Sequence, residues 1–145
     1  MERIDINTGL DGFVMIDRIT DIGTDYISGE VKLNDADPTL LLEAMAQLGG
    51  MHIRSGSDFR KHAFLVKITN AAIPSDRLPD GRYALRGTVL SRSESAFAYR
   101  MEAGIEPEVM IRGDFLLGVV DYNSEFKEDL LQKHFREVFA CLRNR

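Results

Sequence analysis

The stretch that decides the fold is NDADPTLLLEAMAQLGGMHIRSG, residues 34–56. Asp37 followed by Pro38 predicts a helix start, because aspartate can cap free backbone amides and proline tolerates the first helical position. Residues 40–53 are apolar on nearly every side, and Ser55-Gly56-Ser57 predicts the end of the helix. A helix that is apolar all round is a buried helix. Because this one is too short to cross a membrane, we expect the rest of the protein to enclose it.

Patterns typical of β-strands lie on both sides of this helix. Two candidate strands precede it and four follow it, at residues 13–19, 25–33, 63–69, 82–90, 95–104 and 108–120. The second alternates polar with apolar side chains, as a half-buried strand does, and Gly29 within it predicts a bend or a bulge. The later strands follow one another through short connections without crossover helices, which indicates an antiparallel meander. A final helix is predicted over residues 124–142, where apolar side chains recur at helical spacing.

These elements predict a single α+β domain over residues 1–145, with its core at about residues 11–120 and the C-terminal helix added to it. A buried helix combined with strands before and after it predicts an antiparallel sheet that curls around that helix. Such a sheet leaves an edge strand exposed, and pairing two edges across a two-fold axis would cover it. We therefore expect a homodimer.

The composition narrows the range of partners. The formal net charge is −5, with acidic and basic residues intermixed, so no basic stripe is available for a nucleic acid. The single Cys141 excludes a disulfide within the chain and a multi-cysteine metal site. Residues 1–12 lack an apolar signal core, and no run approaches the roughly 18 apolar residues that span a bilayer. We expect a cytoplasmic protein that binds no cofactor, no metal, no nucleic acid and no membrane.

One polar line runs along the apolar helix. Glu43 and Gln47 are the only polar side chains in residues 41–50, and their spacing places them on one face, one turn apart. Gly50 and Arg54 continue the same line. A carboxyl group in apolar surroundings suits general acid or base chemistry near neutral pH, because desolvation disfavours its charged form. Alternatively, Glu43 bonds a backbone amide or an arginine and fixes the dimer.

The start of the helix is a second candidate feature. The first amides of a helix have no acceptor inside it, so the segment from Asp37 to Leu40 is expected to offer donors that polarise a carbonyl oxygen. In this hypothesis Glu43 is the catalytic residue, and Gln47, Asp37 and Leu40 bind the substrate. Base and oxyanion donors would then come from one short segment.

Three segments carry a resemblance to a known family. FVMIDRI (13–19), LLLEAMAQLGG (40–50) and FLVKITNAAIPSDRL (64–78) resemble, in order and type, the β-hydroxyacyl acyl-carrier-protein dehydratases of fatty-acid synthesis. The resemblance implies a hotdog fold, a dimer or a trimer of dimers with active sites at the dimer interface, and an acyl-carrier protein or acyl-CoA thioester as partner. In that family an acid on the helix protonates the departing β-hydroxyl group, and Glu43 matches this acid.

The family's second catalytic group, a histidine in a loop before the helix, has no counterpart here. Residues 34–39 lead straight from a strand into the helix, and His52, His62 and His134 lie elsewhere. Each of these histidines is expected to be structural or solvated. The resemblance therefore supplies an acid but not the base that removes the α-proton. The usual dehydratase mechanism thus lacks one of its two catalytic groups.

Three functions stay open at this point. The first is a dehydratase-like lyase acting on β-hydroxyacyl thioesters, with Glu43 as the acid. The second is a thioesterase, in which Glu43 acts as base or nucleophile and lies beside Gln47. The third is a non-catalytic module that binds an acyl chain or a carrier protein. The sequence likeness favours the first function, whereas the residues present fit the second better.

Overall fold

The computed structural model describes the backbone of residues 15–121 and 128–144, and the side chains of residues 15–121 and 131–144. The described elements are β1 (Arg18–Ile22), β2 (Tyr26–Leu33), α1 (Pro38–Gly56), β3 (Lys61–Ala72), β4 (Gly81–Arg92), β5 (Ala96–Gly104), β6 (Ile111–Asp121) and α2 (Glu128–Arg143). The strands form one antiparallel sheet in the order β1-β2-β4-β5-β6-β3. The predicted α+β architecture, with one sheet packed around a long helix, is confirmed.

Helix α1 begins where the sequence predicts. Asp37 caps it, because its side chain accepts a hydrogen bond from the backbone N–H of Thr39, and Pro38 occupies the first turn. Leu41, Met45 and Leu48 of α1 are fully buried against the sheet. Thr39, Leu40 and Glu43 are exposed, whereas residues 44–55 are buried or half-buried, so the expectation that the chain encloses the helix is wrong for its first turns.

The first strand lies later than predicted. Met15 and Ile16 are buried, but they belong to no strand, and pairing with β2 starts at Arg18 opposite Glu30. The irregularity expected at Gly29 occurs instead in the neighbouring strand, where the register shifts between residues 19 and 21. Gly29 itself pairs regularly with β4. Its missing side chain serves close packing, because a Cβ atom there would lie 2.7 Å from the carbonyl oxygen of Arg18.

The two edge strands of the sheet differ in length and in how far other parts of the chain cover them. One edge is β1, which is five residues long, interrupted by that irregularity, and packed against α2. The other edge is β3, which is twelve residues long and exposes Phe64, Leu65 and Val66. A long, apolar edge strand is a template for pairing with another chain. The strand that follows α1 is therefore the open edge of this sheet.

The predicted C-terminal helix is confirmed as α2 for the part of the chain that the structure describes. Its buried side chains are Leu131, Phe135, Val138 and Leu142, which recur at helical spacing. The predicted start of the helix, over residues 124–127, lies outside the described residues. Neither described helix has the length and apolar character needed to span a membrane.

Candidate active site

A cleft of about 480 Å³ opens between α1 and the edge strand β3. It is lined by Thr39, Leu42, Glu43, Ala46, Gln47, Gly50 and Arg54 from α1, by Ala63, Phe64, Leu65 and Ile68 from β3, and by Leu117 from β6. The four positions of the predicted polar line, from residue 43 to residue 54, all border it. The helical spacing in the sequence therefore identified one wall of the cleft, and β3 supplies the opposite wall.

Burial increases along this wall from the start of α1 to its end. Glu43 is exposed, Gln47 is partly buried, and Gly50 and Arg54 are buried. Glu43 and Arg54 are eleven residues apart, which corresponds to roughly 16 Å along a helix. The cleft therefore has a mouth beside Glu43 and a closed inner end beside Arg54.

The surroundings of Glu43 differ from the prediction. The apolar residues on both sides of it in the sequence predict a carboxyl group in an apolar interior, yet the side chain is exposed in the single chain. The reason is that this face of α1 points towards the open side of the cleft, whereas Ala44 and Met45 point into the core. Glu43 therefore lies where water can reach it.

Gln47 lies one turn further into the cleft. Its side-chain oxygen accepts a hydrogen bond of 2.8 Å from the backbone N–H of Met15. Because a backbone N–H can only donate, this contact fixes which end of the side-chain amide faces Met15. Gln47 therefore ties the segment before β1 to the wall of the cleft.

The start of α1 does not offer the donors that the sequence suggests. The backbone N–H of Thr39 donates to the carboxylate of Asp37 at 2.9 Å, and that of Leu40 donates to the Asp37 carbonyl oxygen at 3.0 Å. Pro38 has no N–H group. The first amides thus have acceptors within the chain, so the expectation of free donors here is wrong for Thr39 and Leu40. Neither Asp37 nor Leu40 borders the cleft, whereas Thr39 does.

Arg54 closes the inner end. Its Nη2 atom donates to the carbonyl oxygen of Ala63 at 2.8 Å and lies 3.4 Å from Nδ1 of His62. Its guanidinium carbon lies 4.0 Å from the centre of the Phe135 ring of α2. Gly50 makes room for this arrangement, because a Cβ atom there would lie 2.7 Å from Nη1 of Arg54. Burial and the neighbouring Arg54 charge lower the pKa of His62 to about 4.

The histidines do not meet Glu43. His52 is buried at the other side of α1, where Nδ1 contacts the Tyr99 hydroxyl at 2.6 Å and Nε2 contacts the Gly23 carbonyl oxygen at 2.8 Å. His62 lies behind Arg54. The expectation that these two histidines are structural is confirmed. Among the side chains that the structure describes, no histidine lines the cleft.

The sequence predictions missed two parts of the site. One is the wall formed by Leu65 and Ile68 of β3, because nothing in the local sequence shows which strand faces which helix side. The other is the role of Arg54, whose position on the polar line was visible but whose burial was not. One signal of this burial was present in the sequence. Arg54 lies one turn after Gly50, and a glycine at that spacing leaves space for a long side chain.

Comparison with known proteins supports the fold. No family model matches the chain, and no curated protein matches it. Among solved structures, a candidate thioesterase from Lactococcus lactis is 20% identical, with a TM-score of 0.62, over 74% of this chain and 95% of that one. A variant of a thioesterase from Pseudomonas aeruginosa is 11% identical, with a TM-score of 0.60, over 72% of this chain and 81% of that one.

A third similar structure comes from a different class of enzyme. The ApeI:P dehydratase heterocomplex of Xenorhabdus doucetiae is 12% identical, with a TM-score of 0.64, over 81% of this chain and 89% of that one. At such low identities the likeness shows the fold alone. The chain has the hotdog fold, as the resemblance implied.

Proposed function

We propose that this protein hydrolyses acyl thioesters, with the acyl chain in the cleft between α1 and β3 and with Glu43 as the general base. The observation that carries this proposal is the position of Glu43 at the exposed mouth of a cleft whose inner walls include Leu42, Ile68 and Leu117. An apolar cleft with a few polar groups is typical of a site for a small apolar ligand. A carboxylate that both water and ligand can reach suits hydrolysis.

The proposed step uses no cofactor. The Glu43 carboxylate takes a proton from a water molecule as the water oxygen attacks the thioester carbonyl carbon. The tetrahedral intermediate then collapses, the carbon–sulfur bond breaks, and the departing sulfur takes the proton back from Glu43. The products are a carboxylic acid and a free thiol. Base catalysis of this kind typically contributes 10²–10⁴-fold.

Two further observations favour hydrolysis over dehydration. Thioesterases occur among the solved structures with this fold, although a dehydratase complex is similar as well. Dehydration of a β-hydroxyacyl thioester needs a base for the α-proton in addition to an acid. No histidine in the described part of the chain lines the cleft beside Glu43. A single carboxylate is sufficient for the hydrolysis proposed here.

Exposed leucines on β3 and at the start of α1 support an interface between two copies. Leu65 pairs with the buried Leu117 across β3 and β6, so the two side chains share the inner face of the sheet, yet Leu65 is 43% exposed. Leu40 at the start of α1 is 38% exposed. We propose that a second copy pairs along β3, covers these leucines and completes the wall of the cleft. The substrate would be an acyl-CoA or an acyl-carrier-protein thioester.

The test is an assay of thiol release from saturated acyl thioesters. The Glu43→Gln variant keeps the shape of the side chain but removes the base, so we expect a fall of about 10²–10⁴-fold in kcat. Glu94→Gln, at an exposed position in the turn between β4 and β5, is the matched control and should keep full activity. Unchanged hydrolysis by Glu43→Gln would overturn the proposal.

The same protein should be offered a β-hydroxyacyl thioester in parallel. Appearance of an enoyl product that Glu43→Gln abolishes, with no thiol released from either substrate, would assign the dehydratase function instead. Binding of thioesters without any product would leave a binding module. Each of these outcomes contradicts hydrolysis, so one set of substrates separates all three functions.

A further inference from the structure

We propose that Arg54, held in place by Phe135 of α2, ends the cleft and thereby limits the length of the acyl chain it accepts. This inference rests on the proposed function only in taking an acyl chain as the ligand. It assigns a specificity-determining role to a residue that is remote from the proposed chemistry. Phe135 is the residue through which this inference links the C-terminal helix to the site.

The position of Arg54 supports a stop at the inner end. The residue is only 8% exposed, and it follows the exposed Glu43 and the half-buried Gln47 along the same wall. The wall of the cleft therefore becomes more buried towards the guanidinium group. The guanidinium group reaches back to Gly50, so an acyl chain entering at Glu43 has about 10 Å of helix beside it before it meets that group.

The guanidinium group is held from more than one side. The Ala63 carbonyl oxygen accepts a hydrogen bond from it. Its central carbon lies over the Phe135 ring, 4.0 Å from the ring centre, which is a cation–π contact. Phe135 is itself buried and packs near His62. A side chain fixed by these contacts cannot swing away at low cost, and apolar methylene groups gain nothing by displacing a charged group.

The decisive experiment measures binding rather than turnover. Non-hydrolysable thioether analogues of acyl-CoA, in a series of increasing chain length, would be titrated calorimetrically into the wild type, Arg54→Ala and Arg54→Lys. Shortening the side chain to alanine should favour chains two methylene groups longer by roughly tenfold relative to the wild type. Lysine keeps the charge and most of the length, so Arg54→Lys should keep most of the wild-type length preference.

Two results would overturn the inference. One is an unchanged length preference in Arg54→Ala. The other is an equal shift in both variants, because lysine keeps most of the length of Arg54 and should therefore keep most of the limit.

A second pair of variants tests the same inference without touching Arg54. Phe135→Ala removes the ring beneath the guanidinium and should shift the preference towards longer chains. Phe139→Ala, on the same helix, removes a ring that packs on Phe59 at 5.6 Å instead, and it should leave the preference unchanged. An equal shift, or none, in this pair contradicts the inference. Because binding is measured separately from thiol release, a protein that binds with this length limit but does not hydrolyse would refute only the proposed function.

Discussion

The Nδ1 atom of His52 on α1 lies 2.6 Å from the hydroxyl oxygen of Tyr99 on β5, and both side chains are buried. The other ring nitrogen of His52 contacts the Gly23 carbonyl oxygen, which can only accept a hydrogen bond. Nε2 therefore carries the proton, and Nδ1 accepts the proton of the tyrosine. Burial lowers the pKa of His52 and raises that of Tyr99, so both groups are neutral near pH 7. This bond joins the helix to the middle of the sheet.

Tyr99→Phe should destabilise the protein. Without the hydroxyl group, the buried Nδ1 atom of His52 loses its donor, which typically costs about 1–3 kcal/mol in the free energy of unfolding. Urea denaturation at pH 7 measures the change. In a His52→Leu background the same substitution should cost much less, because the acceptor is already absent.

Tyr83→Phe is the matched control for this pair. The Tyr83 hydroxyl donates to the Pro79 carbonyl oxygen at 2.6 Å rather than to His52. Its loss should cost the same in the wild type and in His52→Leu. An identical cost of Tyr99→Phe in both backgrounds would show that the His52–Tyr99 bond does not contribute to stability.

Stability should fall as the pH drops from 6.5 towards 4. The pKa of His62 is about 4 in the folded protein and has an ordinary value of 6.5, so only the unfolded chain takes up the proton in this window. Above pH 6.5 the ring is neutral in both states, and its full contribution is present. The difference between the two pKa values corresponds to up to about 3 kcal/mol. His52, whose pKa is also lowered, acts in the same direction.

The His62→Gln variant isolates this contribution. Urea denaturation at several pH values should show a shallower loss of stability between pH 6.5 and 4 than in the wild type. Asp114, whose pKa is lowered mainly by its hydrogen bonds with Asn70 and Arg100, acts below its ordinary value of 3.8 and therefore outside this window. Equal slopes in the two proteins, or an NMR titration of His62 near 6.5, would contradict the prediction.

Asp37→Ala should weaken the start of α1. The Asp37 carboxylate accepts hydrogen bonds from both the backbone N–H and the hydroxyl group of Thr39, at 2.9 and 2.8 Å. Loss of such a cap typically costs about 1 kcal/mol of stability, which thermal denaturation can measure. Asp37→Ser keeps a capping oxygen and should recover most of the loss. Equal melting temperatures for the alanine and serine variants would argue against a capping role.

Val66→Lys should convert the proposed dimer into single chains of 16.3 kDa, which sedimentation can distinguish from a dimer. Val66 is 52% exposed on β3, and a lysine on an edge strand opposes pairing with another edge. Val109→Lys is the matched control, because Val109 is 51% exposed before β6 and outside that edge. A dimer that survives the first substitution but not the second would place the interface elsewhere.

Local sequence patterns were sufficient for most of the fold. Asp37 and Pro38 determine the start of α1 through capping and backbone geometry, which depend only on neighbouring residues. The start of β1 could not be found in the same way. The buried Met15 and Ile16 look like strand residues, but a strand needs a paired neighbour, and β2 offers Arg18 its first partner at Glu30.

The candidate site was predictable only in part. The spacing of Glu43, Gln47 and Arg54 predicts a shared face of one helix, and they do line one cleft. The exposure of Glu43 was not predictable, because it depends on what lies opposite that face. Leu65, on a strand about twenty residues later, forms the opposite wall, and its place follows from the pairing of β3 with β6.

The unequal edges of the sheet also bear on self-association. Helix α2 lies against the short first strand β1, whereas β3 pairs with β6 on one side and with no described strand on the other. A protein with one exposed edge strand can pair with one other copy through it, whereas a protein with two exposed edge strands can add further copies without limit. If two copies pair along β3 as proposed, α2 against β1 would leave the described sheet with one exposed edge, so that pairing would end at two copies.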